Sequence, residues 1–356
     1  MCSDDQGFSS VDGCAMTHLL IIDGNNIGYA SLHVAQLAKM SHEGFPTGGI
    51  FGMAQSVMRI VERTPGALPV VVWDGHAAWR EALYPGYKQN RNKTPEQQVA
   101  RDSWRLQKPH AGRLLHALGI PQLRNENTEA DDLAGRLCQD AETLARYGID
   151  RITLVSDDQD WRQALAPHID IFVPATEKTV TIETLSTPDV KDGPFANPEE
   201  YLTAKTWAGD KSDGIDGVPG IGLKTAVKLL QTHKTIEALC EAVAAGQVTD
   251  KRSHAVAAHV YRIQRNRRLM DWRQAPPLLA GSSGLWSGAY DADSTRSICA
   301  EFGLTKLWER LQSEKWAKLT EKWDRRSLMA LAEDVAGVGD RLGHHHAPDE
   351  EEKETA

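Results

Sequence analysis

The sequence predicts an α/β fold followed by a mainly helical domain, and three observations carry that expectation. Three short apolar runs, HLLIID at 18–23, LPVVVW at 68–73 and RITLVS at 151–156, have the uniform character of strands buried on both faces of a parallel sheet. Each run delivers acid at its C-terminal end: Asp23, Asp74, and then Asp157, Asp158 and Asp160. From about residue 198 onward the apolar spacing is helical. One Asp after a strand is often a helix cap. Two strands that both end in Asp-Gly imply carboxylates converging on one sheet edge, which is where open α/β sheets place ligands.

Taken in order, residues 1–17 hold Asp4, Asp5 and Asp12, no basic residue and no periodicity, so a disordered tail is expected. A helix is expected from about Ile50 to Arg63, with Met53, Val57, Ile60 and Val61 on one face. Between His76 and Arg124, nine Lys or Arg face three acids. Within that segment LYPGYKQNRNKTPEQQ (83–98) interleaves Tyr84 and Tyr87 with Lys88, Arg91 and Lys93, combining base-stacking surfaces with phosphate contacts. A solvated helix face explains the same pattern as well. An amphipathic helix is expected from Pro109 to Leu118, and GIPQLR reads as a short strand or its lead-in.

EADDLA at 129–134 places Glu129, Asp131 and Asp132 within one helical turn. Helix N-termini favour acids by ~0.3–1 kcal/mol each, which accounts for one or two of them but poorly for three. Asp158 and Asp160 bracket one residue, so a turn can direct both at one ion. Residues 170–184 alternate like two strands with a turn, TPDVKDGPFANPEE reads as a linker, and 313–334 as another helix. The end, with His344 to His346 and a run of acids, reads as a mobile tail.

The densest stretch is TAKTWAGDKSDGIDGVPGIGLKTAVK at 203–228. Asp210 and Asp213 are followed by Gly217, Gly220 and Gly222, which open a helical run through Leu223, Ala226, Val227 and Leu230. Carboxylates at that density suit a hard divalent cation. Glycines at a helix start let backbone N–H groups approach a phosphate. Gly217 to Thr225 nearly spells a nucleotide-binding P-loop, but Leu223 intrudes between Gly222 and Lys224 and no strand feeds the loop.

Composition sets the outer bounds. The chain has 356 residues, is 41% hydrophobic and 25% charged, and carries a formal net charge of −9. That charge looks wrong for a nucleic-acid partner until it is localised: besides the basic block above, Lys251 to Arg273 holds seven Lys or Arg against Asp271. No apolar run approaches the ~18 residues of a membrane helix. The start lacks the order of a signal peptide. The five scattered cysteines lack C-x-x-C pairing, so reduced thiols in a cytoplasmic setting are expected.

Together IDGNN, WDG, YPGYKQNR, EADDLA, SDDQDW and GDKSDGIDGVPGIGLKTA resemble, in order, the 5′-nuclease family of flap endonucleases, bacterial polymerase 5′ nuclease domains and phage 5′-to-3′ exonucleases. The resemblance implies a PIN-like nuclease core over 18–190, with a helical arch at about 76–110. It also implies a helix-two-turn-helix (helix-hairpin-helix-like) DNA-binding domain over 198–312, and leaves 313–356 as a C-terminal helix and acidic tail. By the same resemblance Asp23, Asp74, Glu129, Asp131, Asp132, Asp158, Asp160, Asp210 and Asp213 match the metal ligands; Asp157 is an extra acid. Lys88 and Arg91 match the catalytic cations at the arch base, and Tyr87 the neighbouring stacking aromatic. The hairpin Gly217, Gly220 and Gly222, with Lys224 and Thr225, looks like the duplex-binding turn, where a potassium ion can also sit.

The implied function is structure-specific cleavage near 5′ ends by two Mg²⁺ or Mn²⁺ ions, with a monomer acting on DNA that carries a 5′ end, nick or flap, or on an RNA–DNA hybrid. No membrane partner is implied, and the setting is the cytoplasm, or the host cytoplasm for a phage protein. The alternatives are a PIN-type endoribonuclease and a non-catalytic DNA-structure binding protein of the same fold.

Overall fold

The computed structural model describes residues 17–89, 94–188 and 193–338. Its first run, β1 (Thr17–Asp23), is followed by α1 (Gly24–Ser31), α2 (Ala35–Ala38), a two-residue ribbon β2 (Ser41–His42) and β3 (Phe45–Pro46), and α3 (Gly48–Arg63). The second run is β4 (Leu68–Trp73), buried along its whole length. After it come α4 (Ala78–Leu83), α5 (Pro95–Ala117), β5 (Gln122–Asn125), α6 (Ala130–Leu137) and α7 (Ala141–Arg146). The third run is β6 (Ile149–Val155), followed by β7 (Ile169–Val173), β8 (Lys178–Val180) and α8 (Ile182–Leu185).

These strands form one sheet in the order β11-β5-β4-β1-β6-β7-β8, where β11 (Ser283–Trp286) comes from far along the chain. The pairs β1–β4, β1–β6, β4–β5 and β6–β7 are parallel, and only the outermost pairs, β11–β5 and β7–β8, are antiparallel. Leu19 to Ile22 and Val70 to Val72 are fully buried, as strands covered on both faces must be. The register sets Asp23 beside Val72 on one side and, one residue past Ile22–Val155, beside Ser156 on the other. The acids that end these strands therefore meet on one edge.

The helical region comprises α9 (Pro198–Ala208), the tight hairpin β9 (Gly209–Asp210) and β10 (Ile215–Asp216), α10 (Leu223–His233), α11 (Ile236–Ala244), α12 (Lys251–Ala258) and α13 (Val260–Met270). Beyond it lie α14 (Ala292–Glu301), α15 (Thr305–Leu311), α16 (Lys315–Thr320) and α17 (Arg325–Val335). Among the described residues no helix is long and apolar enough to cross a membrane.

Several expectations need correction. Thr17, counted in the 1–17 tail, belongs to β1, its N–H donating to the Gly148 carbonyl at 2.7 Å; the rest of that tail lies outside the described residues. The helix expected at Pro109 begins instead at Pro95, because Thr94 caps it and proline is well suited to its first turn. Pro109 sits inside it, where loss of one helical hydrogen bond is outweighed by packing against α3 and α14. Residues 182–185, expected to extend the strand alternation, form the short helix α8, capped by Thr181. Residues 313–334 are two helices, separated where Trp323 turns inward against Trp316 and Asp324 caps α17.

Part of the 198–312 segment returns to the first domain. Ser283 to Trp286 extends the first domain's sheet, α14 packs on α5, and Trp316 donates its indole N–H to the Leu118 carbonyl at 3.1 Å. Asn125 accounts for the closure, donating to the Ser282 carbonyl at 2.9 Å from the edge of β5. A chain ending at Ser282 should lose several degrees of Tm, at roughly 2 °C per kcal/mol for a domain of this size, and aggregate through the bared β5 edge. An unchanged Tm and a clean monomer in sedimentation would contradict this closure.

Candidate active site

Four acids share the edge. Asp23 closes β1 and caps α1: one carboxylate oxygen accepts the Asn26 N–H at 2.9 Å, the other the Ser156 hydroxyl at 3.0 Å. Asp74, one step past β4, accepts the Ala130 N–H at 2.9 Å and the Asn25 amide at 2.5 Å. The Ala130 bond ties the end of β4 to the start of α6. The next residue, Asp131, accepts the Trp161 indole N–H at 2.8 Å. Asp158, just past β6, accepts the Asp160 N–H at 2.8 Å.

Their electrostatics show crowding. Burial, then the charges of Asp74 and Asp158, push Asp23 up to about 7 against the opposing Asn26 and Ser156 hydrogen bonds. Asp131 lies well above the carboxylate range, through burial and then Asp158, Asp23, Asp74 and Glu129. Asp158 presents surface to solvent yet lies deep among protein atoms. That desolvation, joined by Asp213 and Asp210, raises it despite Lys205 and Lys88. Asp74 is the exception: burial would raise it, but Lys88, the Ala130 N–H, Asn25 and Lys108 together hold it low. Among the described residues no three acids, histidines or cysteines are arranged to ligate one ion as they stand. Each of the four takes protein donors instead.

Four of the other expected ligands, Asp132, Glu129, Asp160 and Asp210, are held by protein cations. Asp132 is fully buried, and its two oxygens accept from the Arg80 guanidinium at 2.6 Å each, with the Thr128 hydroxyl at 2.8 Å. As it stands, Asp132 is a structural partner of Arg80. Glu129 accepts from Arg80 at 3.2 Å, from the Tyr87 hydroxyl at 2.8 Å and from the Lys88 ammonium. Lys205 bridges Asp160 and Asp210, at 2.8 Å from the latter. Burial alone would raise Asp210, but Lys205 and Ser212 bring it down to about 2. Asp213 accepts from the Tyr87 hydroxyl at 3.4 Å, and its carbonyl accepts the Lys88 N–H at 2.7 Å.

The expected nucleic-acid contacts divide similarly. Tyr87 is only 6% exposed and spends its hydroxyl on Glu129, so it is a wall of the site, not a stacking surface. Tyr84 is half-buried beneath Arg265. Arg91 and Lys93 lie outside the described residues. A Cβ on Gly217 would meet the Ala208 carbonyl at 2.1 Å, so that glycine serves close packing on α9. Gly220, at φ 76°, and Gly222 border open space, Lys224 is exposed, and Thr225 is half-buried in the first turn of α10.

Sequence reasoning missed Arg80 and Lys205 as members of the site, together with Asn25, Ser156, Trp161 and Lys108. Arg80 was visible only as one of nine basic residues. Nothing local marked its pairing with an acid 52 positions away.

Known proteins now bear on this geometry. The family model "5′-3′ exonuclease, N-terminal resolvase-like domain" matches residues 18–191, and "5′-3′ exonuclease, C-terminal SAM fold" matches 196–285. The chain belongs to the 5′-3′ exonuclease family. It is 28% identical to DNA polymerase I of Bacillus caldotenax over 298 residues, 83% of this chain and 32% of that protein. It is 31% identical to the thermostable DNA polymerase I of Thermus filiformis over 223 residues, 62% of this chain and 24% of that one. The chain thus spans about a third of the length of the first of these relatives. Among solved structures, T5 5′-exonuclease with bound divalent metal ions (zinc) aligns at TM-score 0.59 and 19% identity, covering 88% of this chain and 99% of that one. A T5 flap endonuclease complex with DNA and metal ions aligns at TM-score 0.59 and 18% identity, covering 85% and 99%. At those identities the likeness establishes the exonuclease fold, a resolvase-like α/β domain followed by a SAM-like helical domain.

Two predictions follow from the charges. An Asp with a raised folded pKa binds more protons folded than unfolded between about 4 and 7, so it weakens the fold as pH rises through that window. In EDTA, Asp23→Asn should therefore gain Tm over the wild type at pH 8 and lose that advantage at pH 5; a difference independent of pH would refute the crowding. Asp132→Ala should destabilise by about 3–5 kcal/mol by breaking the two-point pair that holds the buried Arg80 and leaving it to Glu129 and the Leu269 carbonyl, whereas Asp131→Asn should not. Equal denaturant midpoints for the two variants would refute the structural role of the Asp132–Arg80 pair.

Proposed function

We propose that this chain hydrolyses phosphodiester bonds near the 5′ ends of DNA, as a 5′-to-3′ exonuclease or flap endonuclease that uses divalent metal, Mg²⁺ or Mn²⁺. One observation carries the reading: Asp23, Asp74, Asp131 and Asp158, from four separate elements, face one another at a single sheet edge with the Lys88 ammonium acting on two of them. The donor set fits the group. It is all oxygen, which suits a hard cation better than zinc, and its members raise one another's pKa, so positive charge between them relieves a repulsion already present. Asp160, Asp210 and Asp213 stand behind the four as outer acids, the first two already sharing Lys205.

A bound pair of such ions would supply a hydroxide and neutralise the leaving oxygen. The chain's own residues do the rest. Lys88, anchored by Glu129, stands where it can offset charge developing on phosphoryl oxygens. Tyr87 and Arg80 hold Glu129 for it. The open turn at Gly220 and Gly222, the start of α10, which no side chain caps, and the exposed Lys224 offer a seat for a backbone phosphate some distance from the cut. The T5 structures with metal ions and with DNA support carrying both ligands to this chain. An RNA–DNA hybrid as a further substrate, and action as a monomer, belong to the same proposal. Potassium at the turn finds less support, because the Asp216 and Gly217 carbonyls already accept from Asn266 and Arg262 at 2.9 and 2.8 Å.

A 5′-labelled flap or nicked duplex should release 5′ fragments with Mg²⁺ and none with EDTA. Cleavage that persists in EDTA, or that prefers single-stranded RNA, rejects the proposal. Asp131→Asn and Asp158→Ala should abolish cleavage yet bind duplex ends like the wild type. Lys88→Ala should slow single-turnover cleavage by ~10²- to 10³-fold, and an unchanged rate would remove Lys88 from the chemistry.

A further inference from the structure

The residues just past α4 are joined to the helical domain by a junction that the chemistry above leaves unused. The Tyr84 hydroxyl donates to the Asp216 carboxylate at 3.1 Å, and the Arg265 guanidinium lies 3.9 Å from the centre of the Tyr84 ring. Arg265 also donates to the Asp216 carbonyl at 3.4 Å. The buried Asn266 donates to that same carbonyl and to the Thr206 carbonyl, at 2.9 Å each. Beneath this polar layer Tyr87, Leu202, Ile215, Leu269 and Met270 form an apolar cluster separate from the main core, with Leu83 and Tyr84 packed on it.

Four residues after Tyr84, Lys88 has a φ of 57°. This left-handed conformation is uncommon for a residue with a side chain, and it persists only where the surroundings over-determine it. The Lys88 N–H donates to the Asp213 carbonyl at 2.7 Å. Asp213 and Asp216 lie on one β9–β10 hairpin. The hairpin therefore grips Lys88 near its tip and is itself gripped, three residues on, by Tyr84 and Arg265.

We propose that Tyr84 and Arg265 are positioning residues: their joint hold on Asp216 locks the 209–217 hairpin against the segment after α4, and the hairpin keeps Lys88 in the left-handed backbone that aims its ammonium at the acids. The inference rests on the reading of Lys88 as the phosphate-facing cation. It also gives Tyr84 a role distinct from the base stacking expected of it, because one face of its ring is taken by Arg265.

The test separates positioning from DNA contact. Tyr84→Ala should lower the single-turnover rate on a 5′-flap substrate at least tenfold, while its Kd for a nicked duplex in EDTA changes less than twofold. Tyr84→Phe, which keeps the stack and loses the hydrogen bond, should fall between Tyr84→Ala and wild type. In a Lys88→Ala background, Tyr84→Ala should slow cleavage no further, since it acts through Lys88. Weakening of Kd in step with the rate, or losses that multiply in the double variant, would overturn the proposal. Hydrogen exchange in substrate-free protein supplies a readout independent of cleavage: the Lys88 amide should exchange faster in Tyr84→Ala while β4 and α3 keep their protection. An unchanged Lys88 amide rejects the junction even in a cleaving enzyme. The expected exchange change in a protein that never cleaves would reject only the nuclease reading.

Discussion

The structure depends on where negative charge can be left unpaired. Three parallel strands and one helix start deliver acids to one edge, and the helical region adds Asp210 and Asp213. A buried carboxylate without a partner is expensive, so the fold divides the acids into two kinds. Asp132 and Glu129 are taken by Arg80 and Lys88, and Asp160 and Asp210 by Lys205. Asp23, Asp74, Asp131 and Asp158 form no ion pair among the described residues; hydrogen-bond donors, one another's fields and the more distant charges of Lys88, Lys108 and Lys205 set their state. Asp23 raised and Asp74 lowered, side by side, are two halves of one compromise. The first kind builds architecture, and the second is kept for chemistry.

The same cations hold the two domains together. Arg80 neutralises Asp132 and, through Nε, donates to the Leu269 carbonyl at the end of α13, 3.0 Å away. Lys205 reaches from α9 to the 3-10 helix at 159–164 that follows β6. Gln163, in that helix, donates to the Met270 carbonyl and accepts the Trp272 N–H, both at 3.1 Å. The interface is therefore built at the active edge. A change that loosens either cation disturbs charge and domain contact together, so its effects on stability and on activity will not separate cleanly.

Much of this was legible in the sequence, and the reasons for the rest are physical. Strands β1, β4 and β6 could be read because strands covered on both faces leave continuous apolar runs. The convergence of their acids followed from where each run ended. Which acids remain unpaired was not legible, because a cation can arrive from anywhere: Arg80 from 52 residues before Asp132, and Lys205 from the helical domain. β11 was invisible because Ser-Gly-Leu-Trp has no run to read, and its pairing is decided by the edge of β5. Tyr87 looked like a stacking surface because sequence shows an aromatic among cations without showing that its hydroxyl is spent.

The charge count carries the same lesson. A chain of net charge −9 approaches a polyanion only through local positive surface, and the Lys251–Arg273 block supplies less of it than its seven cations suggest. Arg267 and Arg273 pair with Glu199 and Asp271, while Arg262 and Arg265 hold the carbonyls of Gly217 and Asp216. Lys251, Arg252 and Arg268 face solvent. Arg262 and Arg265 thus act on the turn and the hairpin, and Arg267 and Arg273 are spent on acids, so much of the helical region's basic character shapes a binding surface before it charges one. Counter-ion release on binding follows the outward-facing set, which is the physical quantity a composition count overstates.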